Sequence, residues 1–351
     1  MKVTIFSLVV RPHPSEVFFH HQKALDYARM LNILSNRTSQ TWTSTFSLIF
    51  KLGVTILALV YVVWKLWEER THWQWNLVGQ NGLAFAFAVS LLPFNLGLEA
   101  AKWQCLVKRL NSSFSFGHAL KGVLMGISLG ILTPNRVGEY AGRLINISGE
   151  IRWEAGTFVW VNRLAQMVIT LLLGSICWEL AIVGEVIQPP LIWENGIRWI
   201  SWGLLIGLVL FLHLHPFLWR KIHSSFQKFP SLGKIFHAMS VIDLGLMWRV
   251  IALSFLRYSV FSAQYVLLLY ACGIESHWEI MTLLVFLVFL IKSLAPFASI
   301  AELGIREAVA ITVGGWLGFA GLLVTTSAFC LYLINLVIPA LIGLWFMYKE
   351  K

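Results

Sequence analysis

The sequence predicts an all-α polytopic membrane protein with about six full spans plus two proline-broken helical hairpins set in an inverted repeat. The apolar bulk of the chain, the length of its apolar runs and a pair of matching breaks point to this fold. Of 351 residues, 58% are hydrophobic and 13% charged, which would leave a soluble fold of this size coated in exposed apolar surface. A helix needs about 20 predominantly apolar residues to cross about 30 Å of hydrocarbon, and several runs here have that length. They are continuous, whereas the strands of a membrane barrel alternate over segments of about ten residues.

Residues 1–45 are mixed and basic, with Lys2, Arg11, Lys23, Arg29 and Arg37. Val3 to Val10 is shorter than most signal-peptide cores and is closed by Arg11, so no cleavable signal is expected. From there, 46–348 reads as one transmembrane domain. Apolar runs cover 46–67, 82–107, 117–133, 155–182, 197–212, 246–272, 278–295, 303–318 and 320–347. Lysine and arginine concentrate in the N-terminal segment, around Lys108, Arg109 and Lys121, between His213 and Arg249, and in the tail with Lys349 and Lys351. The positive-inside rule places these on the cytoplasmic face, with both termini, of a cell-membrane protein. The breaks with Glu68 and Glu69, with Glu185 and Glu194, and with Glu275 and Glu279 then face outward. Trp64, Trp67, Trp73, Trp75, Trp193, Trp199 and Trp278 gather at those outer ends, where an indole keeps its ring apolar and its N–H wet.

This sidedness requires 117–152 and 278–318 each to return to the face from which it enters, or both to cross completely; either leaves the other segments unchanged. Each hairpin holds a proline, Pro134 or Pro296, followed by glutamate and arginine. Each also lies between two long helices, so that 82–182 and 246–347 form pseudo-repeats of opposite sense. That order resembles the inverted repeats of secondary transporters, whose broken helices meet near the midplane at the substrate.

Charges inside apolar runs cost about 2.5–3.5 kcal/mol each on the translocon scale and ask for a partner, a cavity or a function. Asn95, Glu99 and Lys102 fall at i, i+4 and i+7, one helical face, and Arg136, Glu139 and Arg143 at i, i+3 and i+7, again one face. Asn162, Arg163 and Gln166 follow on the next helix, while Arg257 and Gln264 share a face. Glu302 precedes Arg306 by four, the favourable ion-pair order, and Glu307 follows. Polar residues of this kind also hold helix bundles together, and Asn95, Lys102 and Arg257 are assigned to that role or to snorkelling. The substrate-binding candidates are Glu99, Arg136, Glu139, Arg143, Arg163, Glu302 and Arg306. Arginine suits a phosphate headgroup because its planar fork donates two hydrogen bonds and stays charged.

The run Leu132-Thr133-Pro134-Asn135-Arg136-Val137-Gly138-Glu139-Tyr140 resembles the P-x-R-x-G-E signature of the flippase-like family typified by the transmembrane region of lysylphosphatidylglycerol synthase. Asn95 to Trp103, Val161-Asn162-Arg163-Leu164 and Leu303-Gly304-Ile305-Arg306-Glu307-Ala308 are similar to further family segments, in the same order, over residues 46–348. Ser299 to Glu302 departs from the family's usual glycine pair. The resemblance implies translocation of an anionic lipid, such as a phospholipid or a polyprenyl-phosphate-linked lipid.

No aminoacyl-transferase domain follows the last run before Lys351, so the chain is not expected to make lysylphosphatidylglycerol itself. No G-x-x-x-x-G-K-[ST] loop supports nucleotide hydrolysis. The net charge of +10 is scattered along run ends, which argues against nucleic acid. Cys105, Cys177, Cys272 and Cys330 have no metal-ligand spacing and read as packing residues; neither cofactor nor metal is expected, and the partners are membrane lipids. The competing class is an intramembrane glycosyltransferase or lipid phosphatase acting on a lipid-linked substrate, for which Glu68 and Glu69 are the best acids.

Overall fold

In the computed structural model the described residues are 81–133, 136–225, 235, 237–294 and 302–349. The N-terminal segment, the apolar run 46–67, Glu68, Glu69, Pro134, Pro296 and the break 295–301 lie outside them.

Helix α1 (Gly82–Ser90) runs into α2 (Leu92–Val107), with Pro93 in the first turn of α2, where its missing N–H costs no helical hydrogen bond. Ser115 starts α3 (Phe116–Leu132) by accepting from the His118 N–H. After the proline break come α4 (Val137–Leu144), a 3₁₀ turn at Gly149–Ile151 and the long α5 (Arg152–Val183). The second half holds α6 (Leu191–Ser225), α7 (Leu244–Ala271), α8 (Trp278–Leu294), α9 (Glu302–Trp316) and α10 (Gly321–Tyr332). A π turn, Leu333–Val337, joins α10 to α11 (Ile338–Lys349). The described residues contain no strand.

Among the described residues four segments are long and apolar enough to cross a membrane: Gly82–Val107, Arg152–Val183, Leu244–Ala271 and Gly321–Lys349. They coincide with four of the six predicted spans. A fifth, 197–212, falls within α6, whose helix extends beyond it at both ends. At 1.5 Å per residue α4 is only about 12 Å long, far short of a bilayer core. Helix ends group clearly. Arg109 after α2 pairs with Asp243 before α7 at 2.5 Å, and Lys121 on α3 lies over the Phe346 ring of α11. The opposite ends of the same helices meet where Asn81, before α1, donates to the Tyr270 carbonyl of α7. Exposed tryptophans also mark both kinds of end: Trp193, Trp199 and Trp278 as predicted, and additionally Trp153, Trp248 and Trp345 near the basic ends.

The helices pack in pairs. The span α1–α2 lies against α7; α5 packs on α8, and α11 on α3; α4 packs on α5, and α9 on α10. The α3–α4 hairpin is closed by glycine. A Cβ on Gly138 would stand 2.2 Å from the Leu129 carbonyl oxygen, and one on Gly142 2.4 Å from that of Met125. These antiparallel pairs are backbone-to-backbone contacts that no side chain could occupy. On the other side of α3, a Cβ on Gly343 of α11 would lie 2.2 Å from the Leu124 oxygen, and Ser128 Oγ donates to the Ala340 carbonyl at 2.6 Å. Gly142→Val is therefore expected to destabilise by at least the about 1–3 kcal/mol typical of overpacking, read as a lowered Tm in detergent.

Asp243 caps α7, accepting from the Leu246 N–H at 2.6 Å. That backbone hydrogen bond, helped by Arg109, holds its carboxyl below the usual aspartate range. A carboxylate with a depressed folded-state pKa stabilises above its unfolded value, and the contribution fades as pH falls through the folded one. Asp243→Ala should cost about 1 kcal/mol at neutral pH and progressively less as pH drops below about 4, as thermal melts at stepped pH would record.

Candidate functional site

A cavity of about 540 Å³ opens among α2, α3, α4, α5, α7, α8, α9, α10 and the π turn. Its floor is an ion network built on the face of α2 that the sequence marks. Glu99 is the hub. Its Oε1 accepts from Arg143 Nη2 of α4 at 2.5 Å and from Asn162 Nδ2 of α5 at 2.7 Å. Its Oε2 lies 3.1 Å from Lys102 Nζ and 3.3 Å from Arg257 Nε of α7. Four helices thus converge on one carboxylate.

Arg143 bridges onward to Glu139 Oε1 at 2.7 Å, one turn away on α4, and stacks its guanidinium over the Trp103 ring. The other oxygen of Glu139 accepts from Arg163 of α5, which also lies over the Tyr140 ring. Gln166 links the two halves: its Oε1 accepts from Lys102 Nζ and Arg257 Nη1, each at 3.3 Å, and its Nε2 donates to the Ser254 carbonyl. Ion pairs buried in a membrane bundle are held by mutual pairing, since removing one partner would cost several kcal/mol.

The second half of the chain supplies the opposite wall. Arg306 of α9 lies over the Tyr332 ring and pairs with Glu307, Nη2 to Oε1, at 2.8 Å. Asn335, at the centre of the π turn, accepts from Asn95 Nδ2 at 2.7 Å and donates to Gln264 Oε1 at 2.8 Å. Such single-turn π insertions re-aim side chains and are frequent at functional sites. Between the polar walls Tyr258, Phe261 and Phe289 form an aromatic side, with Phe261 and Phe289 stacked at 5.2 Å. Among the described residues seven cationic side chains line the cavity, Lys102, Arg136, Arg143, Arg163, Arg257, Lys292 and Arg306, against two lining carboxylates, Glu99 and Glu139.

Six of the seven predicted binding residues, Glu99, Arg136, Glu139, Arg143, Arg163 and Arg306, border this one space; the side chain of Glu302 lies outside the described residues. Two details differ from the sequence reading. Arg136 does not share the α4 face with Glu139 and Arg143: it precedes the helix in the left-handed region, φ 53° and ψ 32°, an uncommon conformation for a residue with a Cβ. There its carbonyl accepts from Arg163 at 3.4 Å. Lys102 does not snorkel, being 0% exposed and held by Glu99, Gln166 and Ser254. With Arg257 and Asn95 it borders the cavity. Lys292 and Asn335 were missed; the signals were a lysine three residues before the break at 295 and a single asparagine in the last apolar run.

No curated protein matches the chain. The profile of the lysylphosphatidylglycerol synthase TM region matches residues 48–343, an interval that takes in every residue bordering the cavity. This multi-pass membrane protein therefore belongs to the family of the lysylphosphatidylglycerol synthase TM region.

Proposed function

We propose that the protein translocates an anionic lipid across the membrane, its headgroup passing through the cavity while its chains stay in the apolar phase. The observation that carries this reading is the excess of cations over carboxylates in a cavity walled by membrane-spanning helices. Fixed positive charge in a low-dielectric wall attracts an anionic headgroup, and arginine forks hold phosphate oxygens bidentately. Tyr258, Phe261 and Phe289 leave one side apolar, as an amphiphile requires.

In this reading α3–α4 and α8–α9 are re-entrant hairpins of an inverted repeat. The shortness of α4 supports re-entry. The repeat is supported by packing that maps onto itself when the halves are exchanged, α5 on α8 becoming α11 on α3, and by Arg136 and Arg306 bordering one space from the two hairpins. Cysteine pairs between 136–140 and 300–306 are expected to join with a short crosslinker, whereas full crossing would hold the two loops more than about 25 Å apart. The ends carrying Arg109, Lys121 and Lys349 face the cytoplasm in a cell membrane, with both termini. Labelling of 213–247 by an impermeant reagent in intact cells would reverse that orientation.

The chain acts as a transporter and not as an enzyme. Purified protein in liposomes, with phospholipids and polyprenyl phosphates fluorescently labelled in the inner leaflet, should expose label to an external quencher faster than protein-free vesicles do. Chemical conversion of the lipid without movement would instead establish a glycosyltransferase or phosphatase.

A further inference from the structure

Building on the transport reading, we propose that the headgroup bound in the cavity carries a multiply charged terminal phosphate, a phosphomonoester or diphosphate, in preference to the singly charged phosphodiester of ordinary phospholipids. The inference rests on how much positive charge the network leaves over. Glu99 and Glu139 border the cavity, and Arg306 is paired with Glu307. Among the described residues the seven lining cations outnumber these three acids. A phosphodiester would cancel one of those charges. A phosphomonoester carries about −1.5 to −2 at neutral pH, and a diphosphate carries more.

Donor geometry points the same way. Arg143 is 3% exposed, yet its Nε and Nη1 have no hydrogen-bond acceptor, since Nη2 alone serves both Glu99 and Glu139. Buried donors rarely stay unpaired, and Nε and Nη1, which lie on different edges of the guanidinium, each have an N–H to give to a phosphate oxygen. The cations also come from both halves of the chain: Arg143 and Arg163 stand on α4 and α5, Lys292 and Arg306 on α8 and α9. A terminal phosphate with three free oxygens, or a diphosphate spanning two phosphorus centres, meets both walls at once, whereas a phosphodiester has two non-bridging oxygens and a second substituent in the way. The aromatic side made by Tyr258, Phe261 and Phe289 accounts for one apolar chain origin, so the ligand is a lipid and not the free anion.

The test uses the purified full chain and four probes: phosphatidic acid, phosphatidylglycerol with the same acyl chains, a polyprenyl diphosphate, and inorganic diphosphate. Binding is read in detergent by thermal shift against concentration, and movement in liposomes by quenching of labelled analogues. The expected result is that phosphatidic acid and the polyprenyl diphosphate bind at least tenfold more tightly than phosphatidylglycerol, and that inorganic diphosphate binds at least tenfold more weakly than its polyprenyl ester. Lys292→Gln should narrow the preference over phosphatidylglycerol by threefold or more while leaving the protein folded. Equal binding of phosphatidic acid and phosphatidylglycerol, with phosphatidylglycerol still moved, would overturn the inference and leave lipid transport standing. Inorganic diphosphate binding as tightly as the lipid would overturn the lipid assignment. If no probe binds or moves, both readings fall.

Discussion

Glu99→Ala is expected to destabilise the protein by about 3–5 kcal/mol, the usual cost of removing one partner from a buried ion pair. Glu99 balances Arg143, Lys102 and Arg257 and also accepts from Asn162, so its loss leaves like charges facing one another. In thermal melts the Tm should fall by on the order of 10 °C, with reduced accumulation in the membrane. A second variant separates charge from shape. Removing one of the stranded cations as well, in Glu99→Gln with Lys102→Met, should recover part of the loss, because the network then balances better. A Glu99→Ala protein melting within a degree or two of the parent would show that the hub role is misassigned.

Arg163→Gln is expected to act on transport and not on folding. Its side chain is 32% exposed toward the cavity and makes one charged contact, with Glu139. Glu139 keeps Arg143 when Arg163 is gone, so no buried acid is left without a counter-charge. Losing one charge-assisted hydrogen bond to a headgroup is worth about 1.5–3 kcal/mol, which corresponds to a drop in lipid movement of roughly ten- to a hundredfold, with Tm within a few degrees of the parent. Normal movement at matched protein density would remove Arg163 from the substrate path.

Much of this site could be read from residue spacing because a charge in an apolar run is expensive and so announces itself. Glu99 and Lys102, or Glu139 and Arg143, are placed on common faces by helical periodicity alone. What spacing could not supply is the partner across the bundle. That Glu99 meets Arg143 and Arg257, 44 and 158 residues away, follows from helix packing that the α2 sequence does not encode by itself. Arg136 illustrates another limit: its i+3 relation to Glu139 implies a shared face only if the helix already runs through it, and the left-handed turn at Arg136 ends that premise. The π turn was equally hidden. Residues 333–337 read as uninterrupted apolar helix, and only the extra residue in the turn aims Asn335 at Asn95 and Gln264. Re-entry and full crossing of the first hairpin were both open in the sequence, because either leaves the sidedness of the other segments unchanged; the end of α4 at Leu144 is not marked by spacing.

The glycine contacts on both sides of α3 have a mechanical consequence. Side chains can change rotamer and let two helices slide, but main chain seated on main chain has nothing to give. Helices α3, α4 and α11 are therefore expected to travel as one stiff block whenever the cavity changes shape, although α11 is some 200 residues away from the other two. The displacement must be absorbed at seams made of long, swivelling groups, above all where Arg163 of α5 reaches Glu139 of α4. Locking α3 to α11 with a disulfide should then leave lipid movement intact, whereas a lock between α4 and α5 should stop it.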